Sequence, residues 1–573
     1  MVAGLTPSVT LGGNWVQNHA PATDCDHNVM SNPQQQSEWA QVAQLLPPTW
    51  DVDRDILLIV GEGAAQIAKP FLSYGLKRVW VMTPAPLSPE TGPSGATTLH
   101  SRGALHRAIQ TMPGEAAGTL ALLRTPACSI PQSDTRAIRS LAMSLLKRKP
   151  ANEHIHSGLA PLWAMNGLAN LVQVGRRPLV SDLDDDLAGV PLIIVGAGPS
   201  LAKNIGQLKA AQDKAIIVCT ARALNSLQAE GVMPDFAISL DAIDIKSHFR
   251  GIRTSEIPGL HLSLTSNPNL FELEHPGIIG FSANTEAEAW MLDPADQLVE
   301  TPSGGSVSCS AMSIGLLWRC DPIIMVGQDL AFDQGAVYHS AGTDGGTTVT
   351  LDPATNTWTF EGFSDDLAHS LRHQLKDGAL SANAAEVPGY YGGTVPTTPE
   401  FAVARQWFEF TAQDETGKTR LFNCTEGGAY IEGMHHAPLA EVLDALPDRR
   451  VSTSRIVSQL ASLPQLSDRA SRLKSKATSC RAAIRAVTDL ARACVAQIDA
   501  VPSQAGALER LQHLEEELSP ALQHAFVLNV AAQADIREAM KQGAEAKSLA
   551  ESLATSRRLY TVLADWGERL TAQ

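Results

Sequence analysis

Small and polar residues follow the apolar runs of this chain, at positions where a parallel sheet presents side chains to a ligand. Gly196 and Gly198 come directly after the apolar run 192–195, and Pro199 and Ser200 come next. Glycine lets the backbone turn tightly and approach a ligand, and proline suits the first turn of a helix. Because a helix N-terminus after a strand and a glycine turn attracts anions, the stretch predicts a phosphate-binding loop. An ordinary strand-to-helix turn is the alternative.

The spacing argues against the two commonest phosphate-binding fingerprints. A dinucleotide site needs a third glycine and an acidic residue after the next strand. This chain has Leu201 at the first of these positions, and Thr220 is followed by Ala-Arg at the second. No Lys-Ser or Lys-Thr pair follows the glycines, which argues against a P-loop. The loop therefore suits a nucleotide or a nucleotide-activated group held by backbone amides.

Further polar residues follow other predicted strands or precede a predicted helix. With Thr220, the candidate site residues are Asp241, Ser303, Gly304, Gly305, Ser306, Gln328, Asp329, His339, Asn423, Thr425 and Glu426. Ligands of open α/β sheets bind at the carboxyl ends of the strands, so Asp241 and Asp329 are candidate catalytic groups. His339 is a third, because histidine titrates near neutral pH. A turn at the strand end and an incidental loop position are the alternatives for Asp241 and His339.

Two more glycine loops extend this pattern. The loop 303–306 precedes a predicted helix over 307–318 and forms a second cradle for an anion or a sugar. The loop 423–429 carries Glu426, which is available as an acid or a base. His369 and His373 lie four residues apart, but no third metal ligand accompanies them. The sequence therefore calls for no metal, and magnesium is not indicated.

Composition narrows the class of protein. The chain has 573 residues, a net charge of -16, 44% hydrophobic and 18% charged residues. This balance is typical of a soluble globular protein, and the negative charge argues against nonspecific binding to nucleic acid or to an anionic membrane. The eight cysteines form no C-x-x-C pair, which predicts neither a zinc site nor a disulfide framework. No signal peptide or membrane helix is evident, so we expect a cytoplasmic protein.

The elements that position these residues predict an α/β fold in three parts. Residues 1–150 form a smaller α/β domain with a glycine turn at 61–63, where Glu62 argues against phosphate. Residues 151–445 form a Rossmann-like domain, with a bridge at 151–190 and irregular structure at 340–400. The acidic run 182–186 is predicted to be a solvated turn. Residues 446–573, rich in Ala and Leu and poor in Gly, form a helical domain of four or five helices.

Five motifs in series carry a resemblance to a known family. They are Ile194-Val-Gly-Ala-Gly-Pro-Ser-Leu201, Pro234-Asp-Phe236 with Asp241, Gly304-Gly-Ser-Val307, Val326-Gly-Gln-Asp-Leu-Ala331 and the segment 423–433. Over residues 150–440 the chain resembles the motility accessory factor (Maf) family of flagellin glycosyltransferases. The central domain of that family is MptE-like, related to archaeal pterin pyrophosphokinases. The N-terminal and C-terminal parts resemble the family only in general layout.

The resemblance implies a cytoplasmic enzyme whose central fold is similar to bacterial sialyltransferases. Such an enzyme moves a nonulosonic acid, of the pseudaminic or legionaminic type, from a CMP-activated donor to Ser or Thr of flagellin before export. Flagellin and the CMP-sugar are the implied partners, and no cofactor is required. A single-phosphate donor fits a glycine loop without a dinucleotide acid. The reaction needs a base for the acceptor hydroxyl and a group that stabilises the departing phosphate.

The resemblance distributes roles among the candidates. Gly196, Gly198 and Ser200 would contact the nucleotide, the loop 303–306 would hold the sugar or its carboxylate, and Asp241, Asp329 or His339 would act as the base. Two other functions remain open. One is a 6-hydroxymethylpterin pyrophosphokinase acting with ATP and magnesium, which would share the central domain but not the flanking ones. The other is a flagellin-binding protein without catalytic activity.

Overall fold

The computed structural model describes residues 55–572 with internal gaps. The described ranges are 55–73, 75–83, 95–99, 105, 108–109, 120–126, 128–183, 187–275, 277–281, 286–292, 305–332, 347–362, 379–447, 452–541 and 548–572. The chain divides into two compact units, residues 2–155 and 156–573. The predicted positions Ser303, Gly304, His339, His369 and His373 lie outside the described residues, as does the first stretch of about fifty residues.

The N-terminal unit is built on a small parallel sheet. Its strands and first helix are β1 (Ile56–Val60), α1 (Ala64–Ser73), β2 (Val79–Met82), β3 (Thr97–Leu99) and β4 (Leu120–Arg124). The strand order is β3-β2-β1-β4, and every pair is parallel. Strand β1 is buried along its whole length, as its unbroken apolar run predicts for the middle of a parallel sheet. The α/β prediction for this part is confirmed.

The second unit is built on an eight-stranded parallel sheet. Its strands are β5 (Leu192–Val195), β6 (Ile216–Thr220), β7 (Phe236–Ser239), β8 (Gly259–Ser263), β9 (Ile278–Phe281), β10 (Ile323–Val326), β16 (Leu421–Asn423) and β17 (His435–His436). Their order across the sheet is β17-β16-β10-β5-β6-β7-β8-β9. Strands β5 to β9 therefore extend the sheet in one direction, and β10, β16 and β17 extend it in the other.

Helices connect these strands and cover the sheet. The chain enters the unit in α2 (Gln132–Gly175), and the helices that follow are α3 (Leu201–Asn204), α4 (Leu208–Ala211), α5 (Leu224–Ala229), α6 (Glu286–Met291), α7 (Val307–Leu317), α8 (Pro399–Asp414) and α9 (Leu439–Ala445). The core between sheet and helices includes Trp318, which is fully buried and donates from Nε1 to the carbonyl of Val180 at 2.8 Å. The predicted α/β class is confirmed. Most of the predicted bridge at 151–190 is helical.

The expectation of irregular structure at 340–400 is wrong for the described residues of this segment. This region contains the antiparallel strands β11 (Thr348–Asp352), β12 (Thr357–Glu361), β13 (Leu380–Asn383), β14 (Ala385–Pro388) and β15 (Thr394–Thr397). Phe332 packs against Trp358 and Phe360 of β12, with ring centroids 4.8 and 5.7 Å apart. A small apolar core of its own thus stabilises the three-stranded sheet β11-β12-β13.

The C-terminal part is helical in its described residues. Its helices are α10 (Thr453–Leu460), α11 (Gln465–Ala500), α12 (Ala507–His524), α13 (Phe526–Lys541) and α14 (Leu549–Thr571). Arg469 of α11 is fully buried and pairs with both carboxylate oxygens of Asp182, at 3.0 and 3.1 Å. The prediction of a solvated turn is therefore wrong for Asp182. No described helix has the length and apolar character needed to cross a membrane.

Candidate active site

The candidate site lies where the strand order of the large sheet reverses, between β5 and β10. These two strands pair in parallel with Val195 opposite Val326, and the loops that follow them continue the contact. The Gly196 amide donates to the carbonyl of Val326 and the Gly198 amide to that of Gly327, both at 2.8 Å. Ligands of doubly wound sheets bind in the crevice at such a reversal.

The two loops are too close for side chains at either glycine. A Cβ atom at Gly196 would lie 2.5 Å from the Gly327 oxygen, and one at Gly198 would lie 1.9 Å from Oδ2 of Asp329. The packing of one loop on the other is therefore enough to require both glycines. An ordinary strand-to-helix turn, the alternative to a phosphate-binding loop, would explain them equally well. A contact of Gly196 and Gly198 with a ligand remains a proposal.

The backbone amide expected to be free for an anion is already bonded within the chain. Ser200 donates from its amide to both carboxylate oxygens of Asp329 at 3.3 Å, and from Oγ to Oδ2 at 2.8 Å. The helix that follows, α3, has only four residues, so little dipole accumulates at its start. The prediction of a free helix N-terminus at this loop is therefore wrong, because a carboxylate of the protein occupies it.

Asp329 is the buried titratable group of the crevice. Only 7% of its surface is exposed, and burial raises its pKa to about 6, although Ser200 and the nearby Lys203 ammonium oppose the rise. A carboxyl group in this range changes charge close to neutral pH and suits general base catalysis. Asp329 thus has the burial, position and titration that a catalytic carboxylate needs.

A third loop, which follows β16, closes the crevice from the other side of β10. Thr425 Oγ1 accepts the amide of Gln328 at 3.1 Å, and the Thr425 amide donates to Oδ1 of Asn423, also at 3.1 Å. Asn423 and Thr425 are fully buried. Gln328 is 7% exposed and its Oε1 has no hydrogen-bond partner among the described residues. The sequence predicted these residues as site candidates because each follows or ends a strand. The structure brings Gln328 and Thr425, which are almost 100 positions apart, into contact.

Glu426 takes part in the site mainly through its backbone. It adopts a left-handed conformation with φ of 56°, and its carbonyl accepts from Lys203 Nζ at 2.9 Å and from the Tyr391 hydroxyl at 3.0 Å. Its carboxylate Oε1 accepts the amide of Leu439, the first residue of α9, at 3.1 Å. A helix-capping role thus accounts for this side chain, and an acid or base role stays a prediction.

The second predicted cradle precedes α7, and Gly305 and Ser306 are its described residues. Gly305 has φ of 87°, and Ser306 caps α7 by accepting the Ser308 amide at 3.3 Å. Further along α7, Gly315 packs on Leu192 at the start of β5. A position of Ser306 beside the strand ends stays a prediction.

Thr220 and Asp241 lie along the same edge, towards β7. Thr220 Oγ1 is buried without a hydrogen-bond partner among the described residues. Asp241 is half-buried, and its carboxylate accepts from Ser239 Oγ at 3.1 Å. Neighbouring strands are about 4.8 Å apart, which separates β7 from β10 by about 14 Å across three spacings. The structure therefore does not bring Asp241 to the same reacting atom as Asp329.

Several residues of this edge were missed by sequence reasoning. Asn166 and Asn170 of α2 are buried and donate to carbonyls of the loops after β7 and β8, including Ala242 at 2.9 Å and Ser266 at 2.7 Å. The sequence pattern that could have indicated them is a pair of asparagines four residues apart in an otherwise apolar stretch. Lys203 and Tyr391 were missed as well. In the described part of the chain, no group of three or more His, Cys, Asp or Glu side chains is arranged to hold a metal ion.

The parallel sheet, its order and the loops at the reversal define a doubly wound α/β domain with a candidate ligand crevice at its carboxyl edge. Residues 165–335 match the family described as 6-hydroxymethylpterin diphosphokinase MptE-like. The MptE-like resemblance of the central motifs is thereby confirmed for this part of the chain.

Two further proteins are similar to the chain. An uncharacterized protein of Treponema pallidum (strain Nichols) is 31% identical over 140 residues, which make up 24% of this chain and 64% of that protein. The match thus spans less than two thirds of the relative. The structure of a Maf glycosyltransferase from Magnetospirillum magneticum AMB-1 aligns over 91% of this chain and 78% of its own, with 15% identity and a TM-score of 0.43.

Proposed function

We propose that this protein is a flagellin O-glycosyltransferase that takes a nonulosonic acid from a CMP-activated donor. The observation that carries the proposal is Asp329, a buried carboxyl with a pKa near 6 at the strand reversal. It lies within the motif 326–331, one of the five that resemble the Maf family. The acceptor is a Ser or Thr hydroxyl of flagellin in the cytoplasm, and the reaction requires no cofactor.

The chemistry assigned to Asp329 is that of a general base. Its carboxylate takes the proton from the acceptor hydroxyl, whose oxygen then attacks the anomeric carbon of the donor sugar. The bond from that carbon to the phosphate oxygen breaks, and CMP leaves with the electron pair. Ser306 at the start of α7 and the Lys203 ammonium are the groups proposed to stabilise the developing negative charge.

Oδ1 of Asp329 is the oxygen proposed to accept the proton. Oδ2 already accepts from Ser200 Oγ at 2.8 Å, whereas among the described residues Oδ1 accepts only from the Ser200 amide, at 3.3 Å. The serine bonds hold the carboxyl group in one orientation and leave a lone pair of Oδ1 for the acceptor. Ser200 is therefore proposed as a positioning residue.

A pterin diphosphokinase is the second candidate, favoured by the MptE-like match at 165–335. In that reaction ATP and magnesium would supply a diphosphate to a hydroxymethyl group, and Asp329 would again be placed to accept a hydroxyl proton. The two functions differ in the nucleotide that the crevice takes.

Calorimetric titration with CMP and with ATP plus magnesium tests the proposal. We expect CMP alone to bind to the full chain, and purified flagellin to accept sugar from a CMP-nonulosonic acid. Asp329→Ala should retain CMP binding and lower the transfer rate at least 100-fold, the scale of a lost general base. Binding of ATP with magnesium but not of CMP would instead establish the diphosphokinase. Flagellin binding without either nucleotide would establish a binding protein.

A further inference from the structure

A hairpin outside the sheet reaches the candidate site. The turn between β14 and β15 is held to the loop after β16 by two backbone bonds of 2.8 Å, from Tyr390 to Gly428 and from Tyr430 to Pro388. The same loop is fixed to the crevice, because the Ala429 amide donates to the carbonyl of Asp329 at 2.7 Å. The tip of the hairpin is therefore positioned relative to Asp329 by a short chain of backbone hydrogen bonds.

The tip presents an aromatic ring to solvent. Tyr391 is 75% exposed, yet its ring is held at two points. Its hydroxyl donates to the Glu426 carbonyl at 3.0 Å, and its ring contacts Tyr390 edge to face at 4.8 Å between centroids. Tyr390 is itself anchored, since its hydroxyl donates to the carbonyl of Asn423 at 3.2 Å. An exposed aromatic ring that is fixed in place loses little entropy when a flat ligand stacks on it.

A lysine ammonium lies beside this ring. Lys203 is exposed and donates from Nζ to the same Glu426 carbonyl at 2.9 Å. Because both groups bond to one oxygen, Nζ and the Tyr391 hydroxyl are no more than about 6 Å apart. An ammonium has three donors, so within the described part of the chain two of those on Lys203 remain for a ligand.

The neighbouring carboxylates have other hydrogen-bond donors, although the Lys203 charge also acts on Asp329. The Glu426 carboxylate accepts the amide of Leu439, and the Asp329 carboxylate accepts from Ser200. The hydrogen bond of Lys203 goes to a carbonyl. A ring and a cation therefore stand together at the rim of the crevice, a combination that fits a ligand with a flat heterocycle and an anionic group.

We propose that Tyr391 and Lys203 clamp the nucleoside monophosphate part of the donor, with the base stacked on the Tyr391 ring and the phosphate on the Lys203 ammonium. This inference rests on the proposed function, which supplies the nucleotide. It adds the residues that bind each half of that nucleotide, and neither residue belongs to the motifs that suggested the function.

Fragments of the nucleotide separate the two halves of the clamp. The ligands are CMP, cytidine and ribose 5-phosphate, titrated by calorimetry into the full-length wild type, Tyr391→Ala and Lys203→Met. Tyr391→Ala should weaken CMP and cytidine about 5- to 150-fold, the range for loss of one stacked base. It should leave ribose 5-phosphate unchanged. Lys203→Met should weaken CMP and ribose 5-phosphate about 10- to 150-fold, the range for a charged hydrogen bond, and leave cytidine unchanged.

Two control variants complete the experiment. Tyr391→Phe keeps the ring and should retain most of the cytidine affinity. Lys209→Met removes an exposed lysine of α4 and should change none of the affinities. If the wild type binds CMP and the clamp variants bind all three ligands equally well, the clamp is overturned and the proposed function stands. If Tyr391→Ala also loses ribose 5-phosphate, the residue supports the loop and does not stack the base. If the wild type does not bind CMP, the proposed donor fails, and the clamp fails with it.

Discussion

The two parallel sheets of this chain share a serine–carboxylate contact beside their glycine loop, but the two residues have exchanged places. In each, a glycine loop follows the first strand, the strand order reverses beside it, and a serine and a carboxylate bond across the reversal. In the N-terminal sheet the carboxylate is on the glycine loop, where Glu62 accepts from the amide of Ser129 at 2.9 Å and from its hydroxyl. In the large sheet the serine is on the glycine loop, and Asp329 lies opposite.

The exchange changes the environment of the carboxyl group. Glu62 is exposed, and its hydrogen bonds with Ser129 lower its pKa, so it stays charged. Asp329 is buried, which raises its pKa to about 6. A charged, solvated carboxylate can join two loops but has little tendency to take a proton at neutral pH. The glycine loops look alike in sequence, and burial of the carboxyl across from the loop distinguishes the candidate active site from the structural turn.

The close packing of the central crevice gives the largest expected effect. Gly428 has φ of 68°, and a Cβ there would lie 2.2 Å from the Asp329 carbonyl oxygen. Gly428→Ala must move the backbone that carries Asp329, so we expect a loss of roughly 3 kcal/mol or more in unfolding free energy, combining overpacking with positive-φ strain. Chemical denaturation of the full chain measures it.

Gly231→Ala is the matched control for this substitution. Gly231 has nearly the same φ, 69°, but nothing lies within 4 Å of a Cβ there. Gly231→Ala should cost only the strain of the left-handed conformation, about 1 to 2 kcal/mol. Equal losses at the two positions would show that the loop around Asp329 yields easily, and the contrast between a rigid crevice and an open turn would fail.

The pH dependence of stability should have opposite signs for the two carboxyl groups. Between its ordinary value of 3.8 and about 6, folded Asp329 keeps a proton that the unfolded chain has lost. Its contribution to stability therefore falls as pH rises through this window, by about 2 to 3 kcal/mol in all. Glu62 has a lowered pKa, so its contribution is present at neutral pH and is lost as pH falls below the ordinary range of a glutamate.

Single variants separate these contributions from that of Asp235, whose pKa burial also raises to about 6. The thermal midpoint of Asp329→Asn minus that of the wild type should increase from pH 4 to pH 6, whereas the same difference for Glu62→Gln should change only at lower pH. The proposed transferase activity should increase through pH 6, since a general base must be ionised. A flat difference for Asp329→Asn would mean that this carboxyl titrates as an exposed one does.

The strands and the edge that carries the site were predictable from the sequence. The runs at 192–195 and 323–326 are apolar without interruption, which is the pattern of strands buried on both faces. Polar residues directly after them then have to lie at one edge of the sheet. This is why Ser200 and Asp329 could be named as candidates before their contact was known.

The contact itself and the hairpin were not predictable. Ser200 and Asp329 are 129 positions apart, and nothing local to either residue indicates that the serine amide is bonded to a carboxylate. The hairpin strands β14 and β15 have only four residues each and both contain a proline, so their alternation is weak. Their position is set by backbone hydrogen bonds to a distant loop, from Tyr390 to Gly428 and from Tyr430 to Pro388. Tertiary contacts of this kind decide where Tyr391 lies, and a single sequence does not display them.

The smallest expected effect comes from two threonines, one at each of the two sheets, whose environments can be compared. Thr125 follows β4 and Thr220 ends β6, and each buries a hydroxyl oxygen without a hydrogen-bond partner among the described residues. Replacing such a hydroxyl by a methyl group of the same shape is close to neutral or stabilises by up to about 1 kcal/mol. Thr125→Val and Thr220→Val should therefore leave the thermal midpoint unchanged or raise it slightly. If the Thr220 hydroxyl forms a hydrogen bond with the CMP part of the sugar donor, Thr220→Val alone should weaken CMP binding. The expected loss is roughly 2- to 10-fold, the contribution of one neutral hydrogen bond. Equal CMP affinities of the two variants in calorimetry would place Thr220 with Thr125, as a structural residue at the end of its strand, and would confine the donor to the β10 side of the reversal.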